Sequence, residues 1–316
     1  MSLDYRFLYI RNDVTVRKLI IKGNIETLEP LHIGGKKGIY ENYIDVLKGA
    51  DGMPYIPGSS LKGVLRSLVE IEYSNLGIEV CPGSELDITN LANDPELIED
   101  VKSRYGSYLI ASSKFKVETC GKKYERDIDD LSRAIGGKLQ EALEKVDRKL
   151  CEACKVFGTS GFLGSLTVYD AVPKSVKLGT RPSLNTYHRK FFKIEYVESG
   201  SVFNFELSMR NPANYMIGAI ILALKDLSEG RYKIGGLRSR GFGLVTLKNL
   251  SMIIRNFSDL SYEKGEKLTL KPLSAKDVPV YLESETISDP EFFKKAEAFI
   301  NAMRSALKKG EQYGSR

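Results

Sequence analysis

The loop from Lys233 to Gly243 concentrates arginines among glycines. Its sequence, KIGGLRSRGFG, contains the residues that we expect to contact phosphate, which are Gly235, Gly236, Arg238, Arg240 and Gly241. Glycine lets the backbone approach a ligand closely, and arginine offers a planar fork of N–H donors. The spacing fits neither a P-loop nor a dinucleotide fingerprint, which favours a polyanion over a single nucleotide. A basic turn before a strand is the alternative.

A second anion-binding signal lies in the segment from Tyr55 to Ser67, YIPGSSLKGVLRS. A Pro-Gly turn is followed by apolar residues at helical spacing, and Ser59 or Ser60 is suited to cap the predicted helix. The first turn of a helix presents free N–H groups that attract anions. Lys62 and Arg66 follow, one turn apart. We therefore expect the side chains of Ser59, Ser60, Lys62 and Arg66 to contact phosphate as well.

The segment from Pro173 to Ile194 interleaves basic and aromatic residues. Its cations include Arg181, His188 and Arg189, and three aromatic side chains lie among them. Cations for phosphates beside aromatic faces for bases are typical of a groove for single-stranded nucleic acid. The alternative is an exposed hairpin whose charges serve solubility.

The chain has four cysteines, Cys81, Cys120, Cys151 and Cys154. The last two form a C-x-x-C pair, whose spacing lets two thiolates reach one tetrahedral zinc ion, and the other two would complete a closed structural site. Buried free thiols or disulfides are the alternatives. A redox role is disfavoured because no thioredoxin-like βαβ pattern surrounds the pair.

Candidate catalytic side chains are few. The two histidines, His32 and His188, lie in segments with different predicted roles, which disfavours a paired-histidine ribonuclease site. The loop from Lys36 to Met53 carries three carboxylates, Glu41, Asp45 and Asp51. Asp51 precedes a glycine and predicts a turn.

These residues are positioned by a predicted α+β core. Strands are indicated at Lys18–Thr27, Gly164–Val172, Val202–Met209 and Leu244–Ile254, with one helix after Ser60 and another that Asn211 caps, with Pro212 in its first turn and Gly230 at its end. The order β-α-β-β-α-β is the ferredoxin-like arrangement, which RNA-recognition motifs share. We expect this core to comprise residues 1–80 and 151–260, with an inserted lid subdomain at 81–150, a hairpin at 173–194 and a C-terminal helical extension at 261–316.

Composition is consistent with a polyanionic partner but does not identify one. The 316 residues carry a net charge of +6, and 42% of them are hydrophobic, which suffices for a full core. No apolar run approaches the length of a membrane span, and the first residues show no signal-peptide pattern. The sequence therefore predicts a cytoplasmic protein without a membrane partner.

Three motifs in a fixed order carry a family resemblance. They are LHIGG at residues 31–35, IPGSSLKG at 56–63 and GGLRSRGFG at 235–243. Together they resemble the RAMP superfamily of CRISPR-associated proteins, and most closely the backbone subunit that repeats along the guide RNA in type III effector complexes. The resemblance extends from about Ile20 to Leu250.

This resemblance implies RNA partners and other subunits of the complex, including copies of the chain or related RAMP proteins. Guide RNA (crRNA) and complementary target RNA would contact His32 and the basic and glycine residues named above. The hairpin at 173–194 corresponds to the family's thumb, which kinks the guide–target duplex at regular intervals. Some RAMP backbone proteins also hold a structural zinc ion in the region of the cysteines.

The resemblance further implies an endoribonuclease activity within the assembled complex. In the family, an aspartate on the loop between LHIGG and IPGSS cleaves target RNA, and Asp45 is the matching residue. A divalent cation, Mg²⁺ or Mn²⁺, suits one carboxylate beside phosphate oxygens. The spacer after Asp45 is shorter than is usual in the family, so Glu41 and Asp51 stay alternatives.

Two other functions fit the same motifs. One is a non-catalytic guide-RNA scaffold, against which the carboxylate at Asp45 argues. The other is a metal-independent endoribonuclease that processes precursor crRNA. That enzyme usually uses histidine and tyrosine near the end of the first strand and has two ferredoxin halves of similar size, and neither feature is evident here.

Overall fold

A central antiparallel sheet organises the chain in the computed structural model, which describes residues 9–10, 15, 17–37, 43–89, 94–111, 115–185, 190–256, 287–288 and 291–308. Its middle strand is β1 (Arg17–Thr27), in which every second side chain is buried, as the two-residue period of a strand requires. Strands β11 (Val202–Arg210) and β12 (Val245–Asn256) flank β1, both antiparallel to it. The α+β prediction is confirmed.

Shorter strands complete this sheet. Strand β7 (Leu166–Val168) and strand β8 (Val172–Ser175) both pair with β11, while β13 (Ile287–Ser288) pairs with β12, which gives the order β13-β12-β1-β11-β7. The strand predicted at Gly164–Val172 is therefore divided in two. The chain leaves the ladder between β7 and β8, where Ala171 instead forms a bridge with Ile56.

Helices α1 (Gly58–Asn75) and α7 (Asn214–Ser228) follow β1 and β11 in the chain and bury their apolar residues in the core. The predicted caps are wrong for both. Helix α1 begins one residue before Ser59, and its Gly58 N–H donates to the Asp170 carboxylate at 2.7 Å, so a side chain distant in the sequence accepts from the first N–H of the helix. Helix α7 begins after Ala213, because Asn211 has a φ of 47° and accepts from the Arg17 N–H.

The last helix, α8 (Phe292–Lys308), packs on α7. Its apolar side chains Phe292, Phe299 and Met303 are buried. The two backbones approach closely at Gly218, where a Cβ atom would lie 2.0 Å from the Phe299 carbonyl oxygen. Within the described ranges, no helix combines the length and apolar character that crossing a bilayer requires.

The segment between α1 and β7 has its own elements. They are β4 (Leu86–Asp87), α2 (Pro95–Tyr105), β5 (Leu109–Ala111), β6 (Phe115–Val117), α3 (Cys120–Lys123), α4 (Glu125–Arg133), α5 (Gly137–Lys149) and α6 (Glu152–Phe157). Strands β4, β6 and β5 form a small antiparallel sheet in that order. The division of the chain at residues 80 and 150 stays a prediction.

A second sheet joins the two segments on which the candidate chemistry lies. Its order is β2 (Gly34–Lys37), β3 (Tyr43–Val46), β10 (Lys190–Val197) and β9 (Leu178–Asn185). Strands β9 and β10 form the hairpin predicted for the thumb, and β3 pairs with β10 in parallel. The hairpin tip at residues 186–189 lies outside the described residues.

Candidate nucleic-acid interface

The sheet topology brings the predicted motifs to one end of the molecule. Thr27, at the end of β1, is opposite Val245 at the start of β12, and Glu26 is opposite Val202 at the start of β11. Strand β7 runs in the same direction as β1, since both are antiparallel to β11. The connections 28–57, 169–201 and 229–244 therefore leave the same edge of the sheet.

The glycine loop is fixed to the LHIGG segment by backbone hydrogen bonds. Gly236 N–H donates to the His32 carbonyl at 2.8 Å, and Gly243 N–H donates to the Pro30 carbonyl at 2.9 Å. Gly235 has a φ of 77°, and a Cβ atom there would lie 2.5 Å from the His32 carbonyl oxygen. Only glycine fits at this position.

His32 lies next to the glycine loop and helps to hold it in place. Its side chain is buried, and Nδ1 lies 2.9 Å from the backbone carbonyl oxygen of Glu195. A carbonyl only accepts, so Nδ1 carries the proton in this bond. His32 is thus buried next to the glycine loop, and its contact with RNA stays a prediction.

Arg238 and Arg240 project from a single 3-10 turn and are exposed. The turn is bounded by two left-handed residues, Leu237 at φ 58° and Gly241 at φ 77°. The Arg238 guanidinium lies 5.3 Å from the centre of the Tyr232 ring. In the described part of the chain neither arginine has an ion-pair partner, so both charges are available to a polyanion.

The thumb hairpin adds a third arginine to this surface. Arg181 on β9 stacks on Phe242, with its guanidinium carbon 4.2 Å from the ring centre, and its Nη2 lies 3.4 Å from the Arg240 carbonyl oxygen. Phe242 is buried and meets the Tyr196 ring edge-on. The structure thus brings together Arg181, Arg238 and Arg240, which we call the arginine cluster. His188 and Arg189 lie outside the described residues.

The first turn of α1 lies at the same end of the sheet but beside a different strand. Ser59 and Ser60 are exposed there, and the Lys62 ammonium donates to the Leu166 carbonyl on β7 at 3.1 Å. Burial, and secondarily the charge of Arg66, lowers the pKa of Lys62. Strands β1 and β11 separate β7 from β12, so the strand beside the α1 turn and the strand that follows the glycine loop lie about 14 Å apart in the sheet.

Asp45 lies on β3, one residue beyond the pair that Ile44 forms with Ile194 of the thumb. Its side chain is half-buried, and it makes no hydrogen bond or ion pair within the described residues. Asp51 differs, because it is exposed and accepts from the Met53 N–H at 3.0 Å, as a turn carboxylate does. Glu41 lies outside the described residues.

Sequence reasoning missed Glu195, a buried carboxylate on β10. Its Oε2 accepts from the Val46 N–H at 3.1 Å, and its Oε1 pairs with the Lys48 ammonium at 2.7 Å. Glu195 thereby anchors the end of β3 next to Asp45. The only signal in the sequence is a charged residue within a strand otherwise rich in apolar and aromatic residues, and that signal does not reveal its partners.

The four cysteines form one buried cluster, as predicted. Their Sγ atoms all lie within 4.8 Å of one another, with 3.3 Å between Cys81 and Cys154 and 3.7 Å between Cys81 and Cys151. Tetrahedral zinc–thiolate bonds of about 2.3 Å place sulfur atoms about 3.8 Å apart. The number, type and spacing of these donors therefore fit a metal ion such as zinc.

The thiols share their protons unequally. A hydrogen bond with Cys151 is the main reason why the pKa of Cys120 is lowered, whereas the hydrogen bond with Cys120 is the main reason why the pKa of Cys154 is raised. Four thiolates this close repel one another, so a cation is needed to keep all four deprotonated.

Arg66 is found in this cluster and not on the predicted phosphate-binding surface. Its Nη2 lies 3.7 Å from Cys81 Sγ and 3.6 Å from Cys154 Sγ, and its Nε pairs with Glu70 at 2.6 Å. Burial alone would lower the pKa of Arg66, but the charges of Cys154 and Glu70 raise it, so the guanidinium stays charged. Helix α1 turns this side chain toward the inserted segment, and its contact with phosphate stays a prediction.

Comparison with known proteins agrees with the motifs. The sequence matches the profile of the RAMP superfamily over residues 24–246, which include LHIGG, IPGSSLKG and the glycine loop. It is also 28% identical over 168 residues to the CRISPR system Cmr subunit Cmr6 of Pyrococcus furiosus. That alignment covers 52% of this chain and 43% of the relative, so the chain matches less than half of the relative's length. The family match covers most of the chain, which therefore belongs to the RAMP superfamily.

Proposed function

We propose that this chain is an RNA-binding subunit of a type III CRISPR effector complex in the cytoplasm, where it holds guide RNA (crRNA) and its complementary target beside other subunits. The arginine cluster carries the proposal, because Arg238 and Arg240 are exposed, without an acidic partner in the described residues, and held on a loop whose backbone a ligand can approach. The likeness to Cmr6 supports the type of complex.

The mode of binding follows from the chemistry of the cluster. Guanidinium groups contact phosphates, which every RNA sequence offers alike, so the cluster fixes the strand without reading its bases. Arg181 adds a charge from the thumb hairpin, and the first turn of α1 extends the surface by Ser59, Ser60 and Lys62. His188 and Arg189 belong to the proposal as thumb residues.

Titration of labelled single-stranded RNA into the purified chain tests this function. Two oligonucleotides of unrelated sequence should bind with similar affinity, and the logarithm of the binding constant should fall linearly with the logarithm of salt concentration. Absence of binding at low salt would remove the proposal.

The fold assignment belongs to the same proposal. Strands β1, β7, β11 and β12 with helices α1 and α7 follow the order β-α-β-β-α-β, and their order in the sheet is β12-β1-β11-β7. We assign this unit, residues 1–80 and 151–260, to the ferredoxin-like fold with a thumb at 173–194. Residues 81–150 are then the inserted lid and 261–316 the C-terminal extension.

We also propose that the chain cleaves target RNA, with Asp45 as the catalytic carboxylate. A half-exposed carboxylate without a partner in the described residues, next to the thumb strand, supports this role. An unpaired carboxylate oxygen fits Mg²⁺ or Mn²⁺, which would neutralise charge developing on the phosphate. Asp45 accepts the proton of the target's own 2′-hydroxyl, the 2′-oxygen bonds to phosphorus, and the bond from phosphorus to the 5′-oxygen breaks. The products are a 2′,3′-cyclic phosphate and a 5′-hydroxyl that takes its proton from water, and the hydroxide formed takes up the proton from Asp45.

The thumb contributes to this reaction by positioning. A displaced nucleotide lets the attacking oxygen, phosphorus and leaving oxygen come into line. Glu195 holds β3 against the thumb strand, so it fixes where Asp45 meets the RNA. Each copy of the subunit covers a fixed length of guide, and the cuts therefore fall at regular intervals.

The cysteine cluster is proposed to hold structural zinc. Cys81, Cys120, Cys151 and Cys154 would provide all four ligands, which leaves no open position for catalysis. The ion would join the inserted segment to the start of α6.

A further inference from the structure

Arg66 contacts several groups in and around the cysteine cluster, and no sequence motif indicated these contacts. From α1, its guanidinium reaches two of the four sulfur atoms, and its Nη1 donates to the Gly158 carbonyl at 2.9 Å. Its Nε is held by Glu70, one turn further along the same helix. The side chain is only 14% exposed, so this fork of contacts is ordered by its surroundings.

A buried tetrathiolate site needs such a cation. Four thiolates around a divalent ion leave an excess of two negative charges, and burial of uncompensated charge is costly. Among the described residues, Arg66 is the cationic side chain within hydrogen-bonding distance of these sulfur atoms. Its guanidinium contacts the Sγ atoms of Cys81 and Cys154.

The other sulfur contacts complement those of Arg66. The Cys151 N–H lies 3.4 Å from Cys120 Sγ, and the Tyr108 hydroxyl lies 3.5 Å from the same atom. The Cys120 thiol donates to the Tyr108 hydroxyl here, and once Cys120 is a thiolate, that hydroxyl and the Cys151 N–H would be its neutral donors. Arg66 is the charged donor to Cys81 and Cys154. Donors around the sulfurs of a metal site orient the ligands and raise metal affinity.

We propose that Arg66 is a positioning residue of the metal site, which compensates the charge of the thiolates and fastens the inserted segment to helix α1. Through Arg66 the site is joined to the helix whose first turn carries Ser59, Ser60 and Lys62. This inference rests on the zinc assignment and is independent of RNA binding, because its measurement uses no RNA.

Metal affinity tests the proposal directly. The full chain and its Arg66→Gln variant would be loaded with Co²⁺, whose thiolate charge-transfer band reports the ligands, and then titrated with Zn²⁺ against a chromophoric chelator. We expect Arg66→Gln to weaken zinc binding by about tenfold or more. Arg148→Gln is the matched control, since Arg148 is 77% exposed on α5 and, among the residues that the structure describes, pairs with Glu144 alone. It should bind zinc like the wild type.

Two results would overturn the proposal. One is wild-type zinc affinity in Arg66→Gln, and the other is a wild-type chain that takes up no metal. If Arg66→Gln fails to fold, Arg66→Lys keeps the charge but loses the fork, and it should bind zinc several-fold more weakly. Zinc affinity equal to the wild type in that variant would also contradict the role.

A measurement of RNA binding distinguishes a role of Arg66 in the metal site from a contact with phosphate. Zinc-saturated Arg66→Gln should bind single-stranded RNA with the wild-type salt dependence. Unchanged zinc affinity together with a shallower salt dependence would assign Arg66 to the RNA surface and refute its role in the metal site.

Discussion

Asp45 and Asp51 lie in the same segment but differ in their surroundings. Asp51 is tied to a turn through the Met53 N–H, whereas Asp45 lies beside the thumb strand without a partner in the described residues. Asp45→Ala should therefore abolish metal-dependent cutting of target RNA by the assembled complex, while Asp51→Ala should cut normally. RNA affinity should be nearly unchanged in both, since a carboxylate adds little attraction to phosphates.

Mapping of the cleavage products checks this prediction. Wild-type complex should give cuts at a regular interval, and the Asp45→Ala complex should give none. If Asp51→Ala is inactive and Asp45→Ala is active, the carboxylate has been assigned to the wrong residue of this segment. If Glu41→Ala is the variant that loses cutting, Glu41 is the catalytic carboxylate, and if all three variants cut normally, the chain is a guide-binding scaffold.

Residue types alone indicated the arginines of the glycine loop but not the partners of buried polar groups. Arg238 and Arg240 are identified by the glycines around them, which is local information. Arg66 meets Cys154, which is 88 positions away in the sequence, and Glu195 meets Val46, which is 149 positions away. Contacts of this range depend on how the elements pack, which one sequence does not show.

At the scale of elements, helix α1 depends on a glycine at its start. A Cβ atom on Gly58 would lie 2.3 Å from the Val168 carbonyl oxygen of β7, whereas one on Gly63 would meet nothing within 4 Å. Gly58→Ala should lower the free energy of unfolding by about 2 kcal/mol or more, because backbone must move. Gly63→Ala, exposed on the same helix, should raise it by about 0.5–1 kcal/mol.

Urea unfolding of the two variants beside the wild type measures both effects. Both variants replace a glycine of helix α1 by alanine, so the difference between their free energies of unfolding reports the contact between α1 and β7. Equal stability of Gly58→Ala and wild type would show that the helix is not seated on β7 as described.

Alternation and helical spacing predicted the main elements because they report one buried face. Strands β1, β11 and β12 differ from the predicted ranges by at most two residues at either end. Caps were not predictable, since Asp170 from another part of the chain satisfies the start of α1. The second sheet was missed as well, because its parallel pair joins β3 to a strand about 150 positions away.

At the scale of the whole molecule, the cysteine cluster ties together distant segments. Cys81 follows α1, Cys120 begins α3, and Cys151 and Cys154 lie at the start of α6. Cys151→Ser should therefore lose the single zinc equivalent of the wild type and lower Tm by roughly 5 °C or more, while its folded fraction keeps RNA affinity.

Chelation provides the internal control for this change. A strong chelator should lower the Tm of the wild type toward that of Cys151→Ser and should leave the variant itself unaffected. Metal analysis that finds no zinc in the wild type would contradict the assignment.

The convergence of the motifs was predictable from topology. In a β-α-β-β-α-β chain, the connections after the first strand, after the second strand and before the fourth strand all lie at the same end of the sheet. The three motif segments lie in or beside these connections. What the topology does not give is how the connections themselves fold, and in the structure backbone hydrogen bonds fix the glycine loop to the segment around LHIGG.

The salt dependence of RNA binding tests the central claim most directly. Replacement of Arg238 and Arg240 together by alanine removes two proposed phosphate contacts, which for a single strand lowers the slope of log K against log salt by roughly one to two units. The loss should be the same for RNA of any sequence. Arg231→Ala is the matched control, because Arg231 lies in the same connection but is paired with Asp226 and Glu229.

We therefore predict that the double variant binds both test oligonucleotides more weakly and with a shallower salt slope, and that Arg231→Ala keeps the wild-type slope. An unchanged slope in the double variant, or a loss confined to one RNA sequence, would contradict the proposal that the arginine cluster holds the RNA backbone.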